Sequence, residues 1–241
     1  LKEKQPDGDK KGIEYDATTY TLTLTAKTNN PMNGKLTIEQ TLKAGDQNAE
    51  QIVWNNQYKP TGSLHLNATK TLTGRDWNDE DSFSFELWAM KDDTLQSALA
   101  EDTKYEDHNH GTLSFQKVTV KTPEGGAKNG QKVPIDFNTL HFTKAGSFVF
   151  YITEIVPGND DKNEGMIYDS EDHRIPVEVT DDGQGHLTAN VAEHSITNLN
   201  FNNVYNSSIE YSNEAGLVIQ KTLNGRDMTA GQFEFTVEAQ G

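Results

Sequence analysis

The sequence predicts an all-β protein of tandem antiparallel β-sandwiches with one short helix, and three observations carry that expectation. Apolar residues alternate with polar ones in short segments closed by turn residues, the period of a half-buried strand. Only 33% of the 241 residues are hydrophobic, so the cores are lean and many segments keep one wet face. The chain also repeats itself, at a spacing close to the size of a domain.

The repeat can be read residue by residue. Ala68-Thr-Lys70-Thr-Leu72-Thr-Gly74-Arg75-Asp76 returns as Ile219-Gln-Lys221-Thr-Leu223-Asn-Gly225-Arg226-Asp227, an offset of 221 − 70 = 151. Phe83-Ser-Phe85-Glu-Leu87 returns as Phe233-Glu-Phe235-Thr-Val237, and Gly12-Ile-Glu-Tyr15-Asp16 matches Gly165-Met-Ile-Tyr168-Asp169. Gly34-Lys-Leu36 answers Gly185-His-Leu187, and Trp54-Asn55-Asn56-Gln-Tyr58 answers Phe201-Asn202-Asn203-Val-Tyr205. The order of the matches divides the chain. Residues 1–60 are the C-terminal half of a preceding repeat, 62–206 a complete one, and 216–241 the start of the next. Both termini therefore read as cuts inside a longer array.

Within the complete repeat the elements follow in order. Leu64 to Leu72 alternates and stops at the Gly74-Arg75-Asp76 turn; Phe83 to Ala89 and Leu113 to Val118 are the next strands. Thr94 to Glu101 is the one helical stretch. Leu140-His-Phe142 leads through the Lys144-Ala-Gly146 turn into Phe148 to Glu154, and His173 to Val179, Leu187 to Val191 and Leu199 to Tyr205 complete the set. Seven to nine strands in one repeat suit a sandwich of two antiparallel sheets.

Side-chain parity then isolates three polar residues. Residues of one parity share a face of a strand. Leu64, Leu66, Ala68 and Leu72 define the inward face of the first strand, and Lys70 sits among them. Phe148, Phe150 and Ile152 are continued by Glu154; Leu199, Phe201 and Tyr205 enclose Asn203. Asn202 neighbours Asn203, and parity favours Asn203. The same parity places Lys221 among Leu217, Ile219 and Leu223, and Asn56 among Ile52, Trp54 and Tyr58. A buried lysine has two explanations. It is an ion pair with Glu154 hydrogen-bonded to the amide, or it reacts. Burial lowers the amine pKa and raises that of the acid, so both can be neutral. A neutral Lys70 is then a nucleophile toward the Asn203 side-chain carbonyl, with protonated Glu154 polarising that carbonyl and carrying protons to the departing ammonia.

The pattern Lys70-Thr-Leu-Thr-Gly-Arg, Phe83-Ser-Phe, Ala145-Gly-Ser-Phe148-Val-Phe-Tyr-Ile-Thr-Glu154, Tyr168-Asp169 and Phe201-Asn-Asn203 resembles the streptococcal pilin isopeptide-linkage repeat. The resemblance covers the complete repeat and both partial ones. It implies a Cna-B-like (reverse immunoglobulin) sandwich in which Lys70 is joined to Asn203 with Glu154 assisting. Asn56 and Lys221 are the equivalent positions of the partial repeats, with partners outside residues 1–241. The implied role is a structural stalk or pilus-shaft module of a Gram-positive cell surface, extracellular and anchored to the cell wall. Its implied partners are neighbouring repeats of the same chain, other pilin subunits and host surface ligands. The chemistry is single-turnover, so no enzyme and no cofactor are expected.

Composition narrows the alternatives. With 21 basic against 37 acidic residues and no basic cluster, a nucleic-acid binder is disfavoured. There is no cysteine to form disulfides, and no apolar run long enough to span a membrane. An adhesin repeat binding a host glycan or protein is the rival reading, with Trp88 the place to look. Trp88 aligns with Glu238 and so faces outward, where the nearby helix is expected to cover it; Trp54 aligns with Phe201 and is expected in the core. His108-Asn-His110 and Asp76-Trp-Asn-Asp79-Glu80-Asp81 have some metal-like spacing but lack a full ligand pattern, so no metal site is expected.

Overall fold

The structure, a computed structural model, describes residues 1–28, 31–108, 111–158, 160–191, 199–207, 219–236 and 238. Leu217, Val237, His110 and the interval 192–198 lie outside the described residues. Residues Leu1–Asn206 form one compact unit and Ser207–Gly241 a second.

In the first unit the partial repeat contributes β1 (Ile13–Glu14), β2 (Tyr20–Thr28), β3 (Leu36–Ala44), β4 (Gln47–Asn48) and β5 (Gln57–Tyr58). The complete repeat begins with β6 (Gly62–Leu64), β7 (Asn67–Thr73) and β8 (Ser82–Met90), followed by α1 (Asp93–Ala98). Then come β9 (Glu106–His108), β10 (Thr112–Lys121), β11 (Lys132–Asp136), β12 (Leu140–Phe142) and β13 (Gly146–Ile155). β14 (Met166–Ile167), β15 (Asp172–Asp181), β16 (Leu187–Val191) and β17 (Asn200–Tyr205) complete it.

Two sheets make the sandwich. One has the order β16-β15-β13-β8-β10-β9 and the other β11-β7-β17-β14. Their facing side chains share one core, with Ala68, Leu72, Ile135 and Phe201 from the smaller sheet and Phe85, Leu87, Phe150, Ile152 and Ile175 from the larger. Among the described residues, strand pairing in both sheets is antiparallel with one exception. β7 and β17, the first and last long strands, run parallel, with Lys70 opposite Phe201 and Asn203 opposite Leu72. On the outer side of this pair the Thr69 and Thr71 hydroxyls both donate to Asn200 Oδ1, at 2.9 and 2.6 Å, which fixes the register. Gly74 ends β7 with φ +96°, and a Cβ there would stand 2.0 Å from the Tyr205 carbonyl oxygen, so only glycine lets β17 pass.

Three local features differ from the sequence expectation. The first strand is interrupted, because β6 leaves it to pair with β12. The helix is shorter than expected; Asp92 caps its N-terminus, accepting from Thr94 N and Leu95 N. The third is β11, which the alternation did not predict, since Pro134 lies within it. It is an edge strand, where a missing N–H costs no ladder bond, and its Val133 and Ile135 still point into the core.

The partial repeat is less covered. β2, β3 and β4 form a meander whose Leu22, Leu24, Leu36 and Ile38 are exposed. The partial repeat meets the complete one at a tight joint. The Tyr58 hydroxyl donates to Asp181 Oδ1 at 2.7 Å, Gly185 N donates back to it at 3.1 Å, and Thr61 and His186 form a bridge. Gly12 and Gly185 abut so closely that a Cβ on Gly12 would lie 2.6 Å from the Gly185 Cα.

Candidate functional site

β7, β13 and β17 bring Lys70, Glu154 and Asn203 to one point between the sheets. Each follows the inward parity of its strand, and exposure falls to 0%, 2% and 0% respectively, whereas Asn202 is exposed. Lys70 Nζ donates to Glu154 Oε2 at 2.6 Å, and Asn203 Nδ2 donates to Glu154 Oε1 at 2.6 Å. One carboxyl group thus grips the amine with one oxygen and the amide nitrogen with the other. The amine also lies 4.6 Å from the Phe83 ring centre and 5.8 Å from that of Phe85, so its surroundings are apolar. Burial pushes the Lys70 amine down to about 8, against the opposing pull of Glu154. Burial likewise raises Glu154, with Lys70 and the Asn203 amide working against it. Both shifts favour the uncharged forms.

The geometry alters one expected role. Asn203 Oδ1 accepts from the backbone N–H of Asp169 at 2.8 Å, so that N–H polarises the carbonyl and Glu154 holds the nitrogen instead. An N–H facing the amide can meet only its oxygen, which fixes the orientation of the group. Asp169 is itself held by accepting from Asn202 N at 3.3 Å and Glu171 N at 3.2 Å.

The partial repeats carry the same parts incompletely. Asn56 Oδ1 accepts from Asp16 N at 2.9 Å and Asp16 Oδ2 accepts from Asn55 N at 3.0 Å, matching the Asp169–Asn203 arrangement. Asn56 Nδ2 donates at 2.7 Å to Glu3 Oε1, an acid not singled out from the sequence. The signal was present: Leu1-Lys-Glu3-Lys-Gln-Pro6 sets against Ile152-Thr-Glu154-Ile-Val-Pro157. The offset of 151 then changes to 153 by Tyr15, because the loop between is two residues shorter. In the second unit Lys221 is exposed, its Nζ 4.6 Å from the Phe233 ring centre.

The other candidates have structural partners. Trp88 is half-buried, stacked on Tyr151 at 4.4 Å and donating through Nε1 to Thr153 Oγ1, so β13 supplies cover for it. Trp54 is also only half-buried, edge-on to the buried Tyr20, and not in the core as its alignment with Phe201 implied. Asp81 is occupied by a two-pronged ion pair with Arg75 at 2.6 and 2.7 Å and by Asn78 N, and Asp76 by Lys128 and Asn129 N. His108 lies 3.8 Å from Glu106 in β9. Among the described residues no helix is long and apolar enough to cross a membrane.

Comparison with known proteins adds a family to this geometry. The family described as FctA, Spy0128-like isopeptide containing domain, matches residues 66–206, which hold Lys70, Glu154 and Asn203. No curated protein gives a match. Two variants of the major pilin from Streptococcus pyogenes are each similar at 21% identity over 59% of this chain and 51% of theirs, with a TM-score of 0.33. A pilus-presented adhesin, Spy0125 (Cpa), is similar at 17% identity over 61% of this chain and 27% of its own, with a TM-score of 0.21. The chain thus spans about half the length of the pilin structures it matches.

Proposed function

Because the chain belongs to the FctA family of Spy0128-like isopeptide containing domains, we propose that it is a pilus-shaft module whose sandwich closes covalently from Lys70 to Asn203. The observation that carries this reading is the single buried carboxyl group shared by the amine and the amide. At pH 7 an amine with a pKa of about 8 is roughly one-tenth neutral, a far larger fraction than for an ordinary lysine. The neutral Nζ attacks Cγ of Asn203, and the carbonyl electron pair moves onto Oδ1, where the Asp169 N–H stabilises it. Glu154 takes a proton from Nζ through Oε2 and delivers one to Nδ2 through Oε1. The Cγ–Nδ2 bond breaks, one ammonia leaves, and the acid ends as it began. Contact geometry replaces a slow encounter in water.

Intact-mass measurement of the purified chain tests this. Loss of one ammonia is expected, and Glu154→Gln, which keeps the shape and removes the proton carrier, should return the full sequence mass. A wild-type chain at its full mass leaves only an ion pair hydrogen-bonded to an amide. With the Trp88 ring engaged by Tyr151 and Thr153, no observation favours the adhesin reading.

A further inference from the structure

We propose that the Asp169 side chain is a positioning residue for the Lys70–Asn203 reaction, a clamp that grips Asn202 and Asn203 together and aims its own N–H at the carbonyl to be attacked. The role rests on the condensation proposed above. Asp169 lies in the turn between β14 and β15 and makes three contacts at once. Its Oδ1 accepts from Glu171 N at 3.2 Å, which closes the turn, and its Oδ2 accepts from Asn202 N at 3.3 Å, which ties the turn to β17. With both ends of the carboxylate held, its backbone N–H donates to Asn203 Oδ1 at 2.8 Å. Two backbone donors on two side-chain oxygens require a carboxylate. An amide has one oxygen, and its NH2 would face the second N–H.

The same three contacts occur a second time, atom for atom. Asp16 Oδ1 accepts from Thr18 N at 2.8 Å, Asp16 Oδ2 from Asn55 N at 3.0 Å, and Asp16 N donates to Asn56 Oδ1 at 2.9 Å. Asn56 is exposed and Asn203 fully buried, so the clamp is made by its own contacts rather than by the packing around it. Charge and aim pull in opposite directions at Asp169. A carboxylate beside Asn203 Oδ1 disfavours the negative charge that develops there. Burial dominates the shifts of Lys70 and Glu154, and beneath it the Asp169 charge raises both, which helps the acid keep its proton and hinders the amine from losing its own. Asp169 also faces His173, whose Nε2 stands 3.5 Å from Oδ1. What favours the reaction at this position is the direction of the N–H, which the carboxylate fixes. A turn held at only one oxygen would leave that N–H free to swing away from Asn203.

Full-length wild type, Asp169→Ala and the isosteric Asp169→Asn test this. Newly made chain from cell-free synthesis is transferred into buffers from about pH 6 to 9, and ammonia loss is followed by intact mass. Versions that also carry Glu154→Gln, and so cannot react, show by denaturant titration how completely each variant folds. Asp169→Asn keeps the size of the side chain, so it serves if Asp169→Ala does not fold. In folded chain the maximal rate should fall roughly 10- to 100-fold in both variants, less than outright loss of an oxyanion donor. The rate–pH profile should also move to lower pH, because the charge that raised Lys70 and Glu154 is gone. Folded variants that react at the wild-type rate, or more slowly with an unmoved profile, overturn the proposal and leave Asp169 a structural brace. Wild type that loses no ammonia sinks the Lys70–Asn203 reading as well, so the two failures are told apart.

Discussion

Lys70 is among the largest fully buried side chains in the sandwich and a cation by default, so its protonation should be visible in stability. Asn203→Ala leaves the amine facing Glu154 with nothing to condense with. The folded pKa of about 8 lies below the usual 10.5, so between those values the unfolded chain binds more protons than the folded one. Unfolding free energy must then rise with pH across that window, by about 3 kcal/mol at full effect. Denaturant titrations of Asn203→Ala from about pH 7.5 to 10.5 measure it, and a flat or falling profile would show that the amine is charged throughout. At this scale the sequence was informative. Parity alone chose Lys70, Glu154 and Asn203, because a residue inside an alternating apolar run has nowhere to point but inward. What parity could not reveal was the Asp169 N–H, since a backbone donor leaves no mark in residue type. Glu3 was obscured because its match to Glu154 is short and a two-residue difference in loop length separates it from the Tyr15–Tyr168 match.

Strand pairing decides whether the reactive groups meet. β7 and β17 are parallel neighbours, and the two threonine hydroxyls on Asn200 Oδ1 lock their register from the outer face. A slip of one residue would turn Asn203 outward and Asn202 inward. Asn200→Ala should therefore cost about 1–2 kcal/mol from the two lost bonds and slow cross-linking after refolding without preventing it. Time-resolved mass spectra of refolding chain check this, and a rate equal to wild type would mean that the core alone sets the register. Element boundaries were less legible than element identities. The strand at Lys132–Asp136 hides behind Pro134, which is tolerated there because β11 has solvent on its donor side. The break between β6 and β7 is a tertiary effect: the chain changes partner from β12 to β17, and nothing in the alternation of Leu64 and Leu66 announces it.

A bond from Lys70 to Asn203 would close a loop of 203 − 70 = 133 residues, nearly the whole sandwich. On the chain-entropy account such a loop stabilises by roughly 5 kcal/mol, through restriction of the unfolded chain. Lys70→Met removes the bond while keeping an unbranched apolar side chain in place. Its melting temperature should fall by about 10–20 °C. Calorimetry settles this, and an unchanged transition would deprive the staple of a mechanical rationale. Load entering at one end of β7 and leaving at the far end of β17 would otherwise shear a single row of hydrogen bonds. The size of the sandwich was legible in the repeat, because a period of about 150 residues sets an expectation close to the span 66–206 matched by the family.

The joint around Gly12 and Gly185 has a consequence for compliance. With two backbones in direct contact, and the Tyr58 phenol pinned between Asp181 and Gly185, residues 1–60 have no slack connection to the sandwich that follows. Bending there means lifting the glycines apart and unseating the phenol together, so thermal wobble at this elbow is small. Gly185→Ala would wedge the contact open, and a fibre built from such joints would coil more readily than one that keeps its glycines.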